Sequence, residues 1–94
     1  MSYDEKIVDR QVGRNAQLFA QSIAELDSKE ERYPYLRILI SIIEQAHSEW
    51  NQAPHKTDQI TQLIRRMSHM EIDADEIAAI VKQRDRERGY NNRN

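Results

Sequence analysis

Between Leu36 and Trp50 the chain reads LRILISIIEQAHSEW, its most apolar stretch. Leu36, Leu39, Ile40, Ile43, His47 and Trp50 recur at helical spacing, and Ile38 and Ile42 widen the stripe beside them. A helix apolar over most of its circumference belongs at the centre of a fold, because no single neighbour covers it. The run ILISII alone would also suit a buried strand. The length of the segment and its polar continuation, EQAHSEW, decide for a helix.

The rest of the chain follows the same period. Val12, Ala16, Phe19, Ile23 and Leu26 mark a first helix over about residues 11–26, with Asn15 a candidate cap and Gly13 in its first turn. Asp27-x-x-Glu30 has the spacing of a capping box. Pro34 then allows two solutions: a short turn at 28–32 with a new helix starting at Pro34, or one helix kinked there. The second helix is set at about 34–50. NQAPHKT is a loop, and His55 or Thr57 caps a third helix over about 57–70, with Ile60, Leu63, Ile64, Met67 and Met70 inward. Asp73 or Asp75 caps a fourth over about 74–87, with Ile77, Ile80, Val81 and the stem of Arg84 inward, and Gly89 is its stop.

These features predict one all-α domain of four helices with short connections and helix 2 central. Two Gly and two Pro are too few for a turn-rich β protein. Residues 1–10 read as a flexible lead-in, 11–88 as the domain, and 89–94 as a disordered polar and basic tail. Sequential helices are expected to pack as antiparallel neighbours.

Composition narrows function. No cysteine is present, which removes disulfides, thiolate metal sites and a cysteine nucleophile. No apolar run approaches a membrane span of roughly 20 residues, and the polar start MSYDEKIVDR does not resemble a secretory signal, so a cytoplasmic location without membrane contact is expected. The net charge is −2, but unevenly placed. Residues 1–81 hold nine basic and fourteen acidic side chains, and residues 82–94 hold five basic and two acidic.

Glu44-x-x-His47 is the one spacing that suggests a metal, since such pairs on two helices build di-iron centres with carboxylates from two more. Here the motif occurs once, and the middles of the other helices lack carboxylates. Glu44 is therefore read as solvent-facing and His47 as half-buried beside Trp50. His55 and His69 are expected at the surface, without the paired ligands of a zinc module. No phosphate loop or nucleophile motif is present, so neither an enzyme nor a cofactor is expected.

Two binding functions have better material. The broad apolar surface of helix 2, with Tyr33, Tyr35 and Trp50 near its ends, fits a protein-interaction or oligomerisation module whose partner is another protein or a second copy. The alternative is an accessory nucleic-acid binder using Arg65, Arg66, Lys82, Arg84, Arg86, Arg88 and Tyr90. Against it, helix 4 begins EIDADE, which phosphate would repel.

Three features also support a family resemblance: Gly13-Arg14-Asn15 at the start of helix 1, the charged corner Asp27 to Arg32, and the MSHMEID exit from helix 3. Over roughly residues 11–76 the chain resembles a family of small helical proteins, a domain of unknown function found mainly in Bacteroidetes-type bacteria. The resemblance implies an intracellular bacterial helical domain and no particular chemistry. It singles out Gly13 and Asn15, for which close backbone approach and helix capping are the expected reasons.

Overall fold

The computed structural model describes residues 7–88. Four α-helices account for most of them: α1 (Gly13–Ala24), α2 (Lys29–Ala46), α3 (Lys56–Met67) and α4 (Ala74–Glu87), with a 3-10 segment at Ser48–Gln52 between α2 and α3. Gly89 and the expected tail at 89–94 lie outside the described residues, as do residues 1–6 of the expected lead-in.

Local chemistry sets the boundaries. α1 is started by Asp9, whose Oδ1 accepts from the backbone N–H of Gln11 (2.8 Å) and Val12 (3.3 Å). Asn15 lies inside the helix and is not its cap. Gly13 holds φ +90°, a conformation that disfavours any L side chain, while a Cβ added there would meet open space. The glycine thus serves backbone conformation, and the expectation of close approach is corrected.

α2 begins five residues before the predicted position. Ser28 caps it, its Oγ accepting from Glu31 N–H at 3.1 Å, while the Glu31 carboxylate accepts from Asp27 N–H at 3.1 Å. The capping pair is Ser28 and Glu31, one residue on from the predicted Asp27 and Glu30. Pro34 falls inside the helix and not at its first position, so of the two solutions the helix that continues through the proline is the one observed. α2 also stops at Ala46, earlier than predicted, because His47 leaves helical geometry (φ −119°, ψ 60°).

His55 stands at the N-cap of α3 without a side-chain cap bond. α3 ends at Met67 because His69 (φ 59°) and Met70 (φ 65°) turn left-handed. Met70 consequently leaves the expected inward face and is 54% exposed. Asp73 caps α4, its Oδ2 accepting from Asp75 N–H (3.0 Å) and Glu76 N–H (3.2 Å). Ile72, in the connection between α3 and α4, is 1% exposed and joins the core, a position the helical periodicity did not assign.

Contacts fix the helix directions. Gln11 Nε2 donates to Ala46 O, and the Phe19 and Tyr35 rings meet edge to face, so α1 and α2 are antiparallel. Arg32 pairs with Glu76, and Glu44 with Arg84, so α2 and α4 run the same way. Lys56 pairs with Asp85, and Arg65 Nε donates to Ile72 O, making α3 and α4 antiparallel. The packed pairs α1–α2, α2–α4, α4–α3 and α3–α1 close a ring. The consecutive helices α2 and α3 therefore face each other across the ring and are not the close neighbours that chain order suggested.

Leu36, Leu39, Ile40 and Ile43 of α2 are fully buried against Ile60, Ile64, Met67, Ile77 and Val81. α2 is the longest helix and sits between α1 and α4, which leaves one long side uncovered. No helix among the described residues is long and apolar enough to cross a membrane.

Candidate functional site

Two features of α2 depart from an ordinary core helix, and both follow from where its neighbours sit. The first is its inner, C-terminal turn. Glu44 is 2% exposed, which corrects the expectation of a solvent-facing carboxylate. Its Oε1 accepts from Arg84 Nη2 at 2.8 Å and from Arg88 Nη2 at 2.9 Å. Lys56 Nζ lies 3.3 Å from Oε2 and donates to Asp85 Oδ1 at 2.6 Å. Oε2 itself accepts no hydrogen bond, so Lys56 balances it by charge. Burial pushes the Glu44 carboxyl upward, but the Arg84 hydrogen bond and the charges of Lys56, Arg84 and Arg88 together bring it below the usual range. Glu44 is a buried anion holding α2, the start of α3 and the end of α4 together.

His47, three residues on, is 5% exposed, deeper than the half-buried position expected. Its Nε2 lies 2.7 Å from Asp9 Oδ2 and its Nδ1 lies 3.3 Å from Glu49 Oε2. The ring stacks on Trp50, with centroids 3.9 Å apart and planes 5° off parallel. Asp9 thereby caps α1 and holds the end of α2 at once, and Val8 N–H also bonds Gln17 Oε1 at 2.7 Å. Residues 8 and 9 are thus engaged, though they fall in the stretch read as a lead-in. Glu44 is surrounded by cations and His47 by carboxylates, so the pair does not converge on a common point. Among the described residues no group of three or more His, Cys, Asp or Glu side chains could hold a metal ion.

The second feature is the outer side of α2. Tyr35 (45%), Ile38 (50%) and Ile42 (36%) stand exposed at steps of three and four, opposite the buried stripe. A shallow groove lined by Phe19, Ser22, Leu26 and Tyr35 carries this apolar surface onto α1. Isolated exposed apolar residues are ordinary, but a contiguous stripe on one helix is not.

The remaining predicted residues are dispersed. Of the three aromatics, only Tyr35 is on the open face. Tyr33 is partly buried toward α4, its hydroxyl accepting from Arg37 Nη1 at 3.1 Å, and Trp50 is occupied by His47. Of the basic set, Arg84 and Arg88 turn inward to Glu44, and Arg65 Nε donates to the Ile72 carbonyl at 3.1 Å. Arg66, Lys82 and Arg86 are exposed, on two different helices. Tyr90 lies outside the described residues. The basic residues therefore form no single stripe.

A large cleft between the first turns of α2 and α4 holds Glu30, Tyr33, Asp73, Asp75 and Ile80. Its acids sit at the N-cap or in the first turn of a helix, where the helix dipole favours them, and Glu76 beside them is taken up bidentately by Arg32 at 2.8 and 2.9 Å.

A family model described as a domain of unknown function, DUF4290, matches residues 1–90, a longer span than the resemblance read from the sequence. No curated protein and no solved structure matches the chain.

Proposed function

The chain belongs to the DUF4290 family, and we propose that it works as a protein-interaction module whose docking surface is the outer face of α2. The observation that carries this reading is the stripe of Tyr35, Ile38 and Ile42, three large apolar side chains at helical spacing on the side away from the core. Covering such a stripe is favourable by about 25 cal/mol per Å² of apolar surface, before the cost of association. Tyr35 is the natural anchor, because an aromatic ring offers contact area at little conformational cost. The ring is already oriented by its edge-to-face contact with Phe19, at 6.4 Å between centroids. The nucleic-acid alternative has less behind it, since two of its arginines are committed to Glu44.

The test is position-specific photo-crosslinking in native cells. A photoreactive residue in place of Ile38 or Ile42 should give discrete protein adducts. The same residue at Gln62, on the exposed side of α3, should not. Equal labelling at all three positions would sink the reading. Adducts to nucleic acid from Lys82 or Arg86 would move it to the alternative.

A further inference from the structure

We propose that the occupant of this face is a second copy of the chain, docked with the two α2 helices antiparallel about a two-fold axis at Ile38. The inference rests on the reading of the α2 face as a docking surface and names its partner. A two-fold interface joins a patch to itself, so the patch must be self-complementary.

The stripe meets that condition in one orientation. Counting outward from Ile38, the face carries Pro34 and Tyr35 on one side and Ile42 on the other, then Glu31 and Gln45 at seven residues each way. Antiparallel pairing lays Ile38 on its own copy, Pro34 and Tyr35 against Ile42, and each Glu31 against a neutral Gln45. Parallel pairing would set Glu31 against Glu31, two like charges at the edge of an apolar contact.

The charge at the two ends of the described residues selects the same orientation. One end, formed by residues 25–32 and 65–76, has eight acidic and four basic side chains, a balance of −4. The other, formed by residues 7–14, 44–58 and 82–88, has six acidic and seven basic, a balance of +1. These ends are separated along the helix axes, because α2 and α4 both run from the first to the second. An axis lying in the interface and perpendicular to α2 places the acidic end of each copy over the more basic end of the other. A parallel arrangement stacks like ends.

The test begins with sedimentation of the full chain over micromolar to millimolar concentration. A species of twice 11.2 kDa is expected. Ile38→Glu should raise its dissociation constant at least ~30-fold, the effect of losing a central hot spot, while leaving the circular dichroism unchanged. Orientation is then read by oxidation, which the absence of native cysteine makes clean. Ile38→Cys should link to itself. Glu31→Cys should link to Gln45→Cys in a mixture faster than to itself.

A monomer at millimolar concentration, or a dimer indifferent to Ile38→Glu, overturns the inference. So does Glu31→Cys linking to itself faster than to Gln45→Cys. A monomer that still gives heterologous protein adducts at position 38 removes the second copy as occupant but keeps the docking face, so the two failures are distinguishable.

Discussion

On the side of α2 that meets α4, a carboxylate is buried at 2% exposure, and on the side that faces away Ile38 stands 50% exposed. The two positions lie six residues apart on one helix. Each inverts the usual placement, charge outside and hydrocarbon inside, and the inversions have different physical status. Glu44 is held inside by three cations from two other helices, so its burial is compensated within the chain. Nothing among the described residues covers Ile38 in the same way. The first is a structural device that closes the bundle, and the second is apolar surface left open, the face proposed above as a docking surface. Substitutions on the two sides should therefore behave differently, and their order of effect tests the distinction.

The largest effect is expected at Glu44. Glu44→Ala leaves Lys56 buried near a vacated carboxylate and removes the acceptor of Arg84 and Arg88. A loss of about 3 kcal/mol is expected in chemical denaturation, at the low end for a broken buried pair. The discount reflects Arg84 and Arg88, whose side chains at 17% and 34% exposure can swing into water. A loss below 1 kcal/mol would show that Glu44 is no more structural than a surface charge.

Acid reads the same carboxylate. Glu44 is held below the ordinary range in the folded chain, so it stabilises the fold above the unfolded pKa of about 4.3. That contribution is lost as the pH falls from there through the folded value. Stability measured from pH 6 downward should decline, and Glu44→Gln should decline less steeply over the same window. Parallel acid limbs for the two proteins would place the titration elsewhere.

The contrast between these sides of α2 also marks how far the sequence could be read. Leu36, Leu39, Ile40 and Ile43 were legible because their 3.6 period and residue type agree. Glu44 was not, because it lies at the margin of the buried stripe and its type argues for water. Its burial depends on Lys56, Arg84 and Arg88, twelve or more residues away, and local period carries no record of them. One signal was available: Arg84 and Arg88 continue the inward stripe of Ile77 and Val81, which puts two guanidinium groups on a core-facing side in need of an anion. His47 was read correctly as Trp50's neighbour, but its partner Asp9 sits in a segment with no periodicity. The open face is hinted at by Ile38 and Ile42, while Tyr33 and Trp50 sit apart from it, because an aromatic near a helix end can close a core or leave it, and spacing does not choose. Pro34 misled the start of α2, since Ser28 and Glu31 cap the helix strongly enough to carry a proline in its second turn.

Lys56 separates charge balance from hydrogen bonding within the buried side. Lys56→Met keeps the stem that packs at 6% exposure and removes the ammonium between Glu44 and Asp85. Arg84 and Arg88 still hold Glu44 Oε1, so the expected loss is about 1.5 kcal/mol, the scale of one hydrogen bond to a charged group. A Lys56→Met loss equal to that of Glu44→Ala would make the ammonium, and not the arginines, the principal partner.

The smallest effect is expected on the open side, and there a small number is the informative result. Ile42→Gln exchanges an exposed branched hydrocarbon for a polar chain of higher helix propensity, in a helix whose core contacts are made by other residues. In dilute solution its folding stability should stay within about 0.5 kcal/mol of the parent. At high protein concentration the parent alone should gain thermal stability, because a partner that binds only the folded chain stabilises it by mass action. Denaturation of both proteins at two concentrations a hundredfold apart separates these terms. A parent whose midpoint does not move with concentration has no self-partner on this face. An Ile42→Gln chain that loses more than 1 kcal/mol in dilute solution would mean the outer side of α2 is part of the monomer's core, and the contrast between the two sides of the helix would collapse.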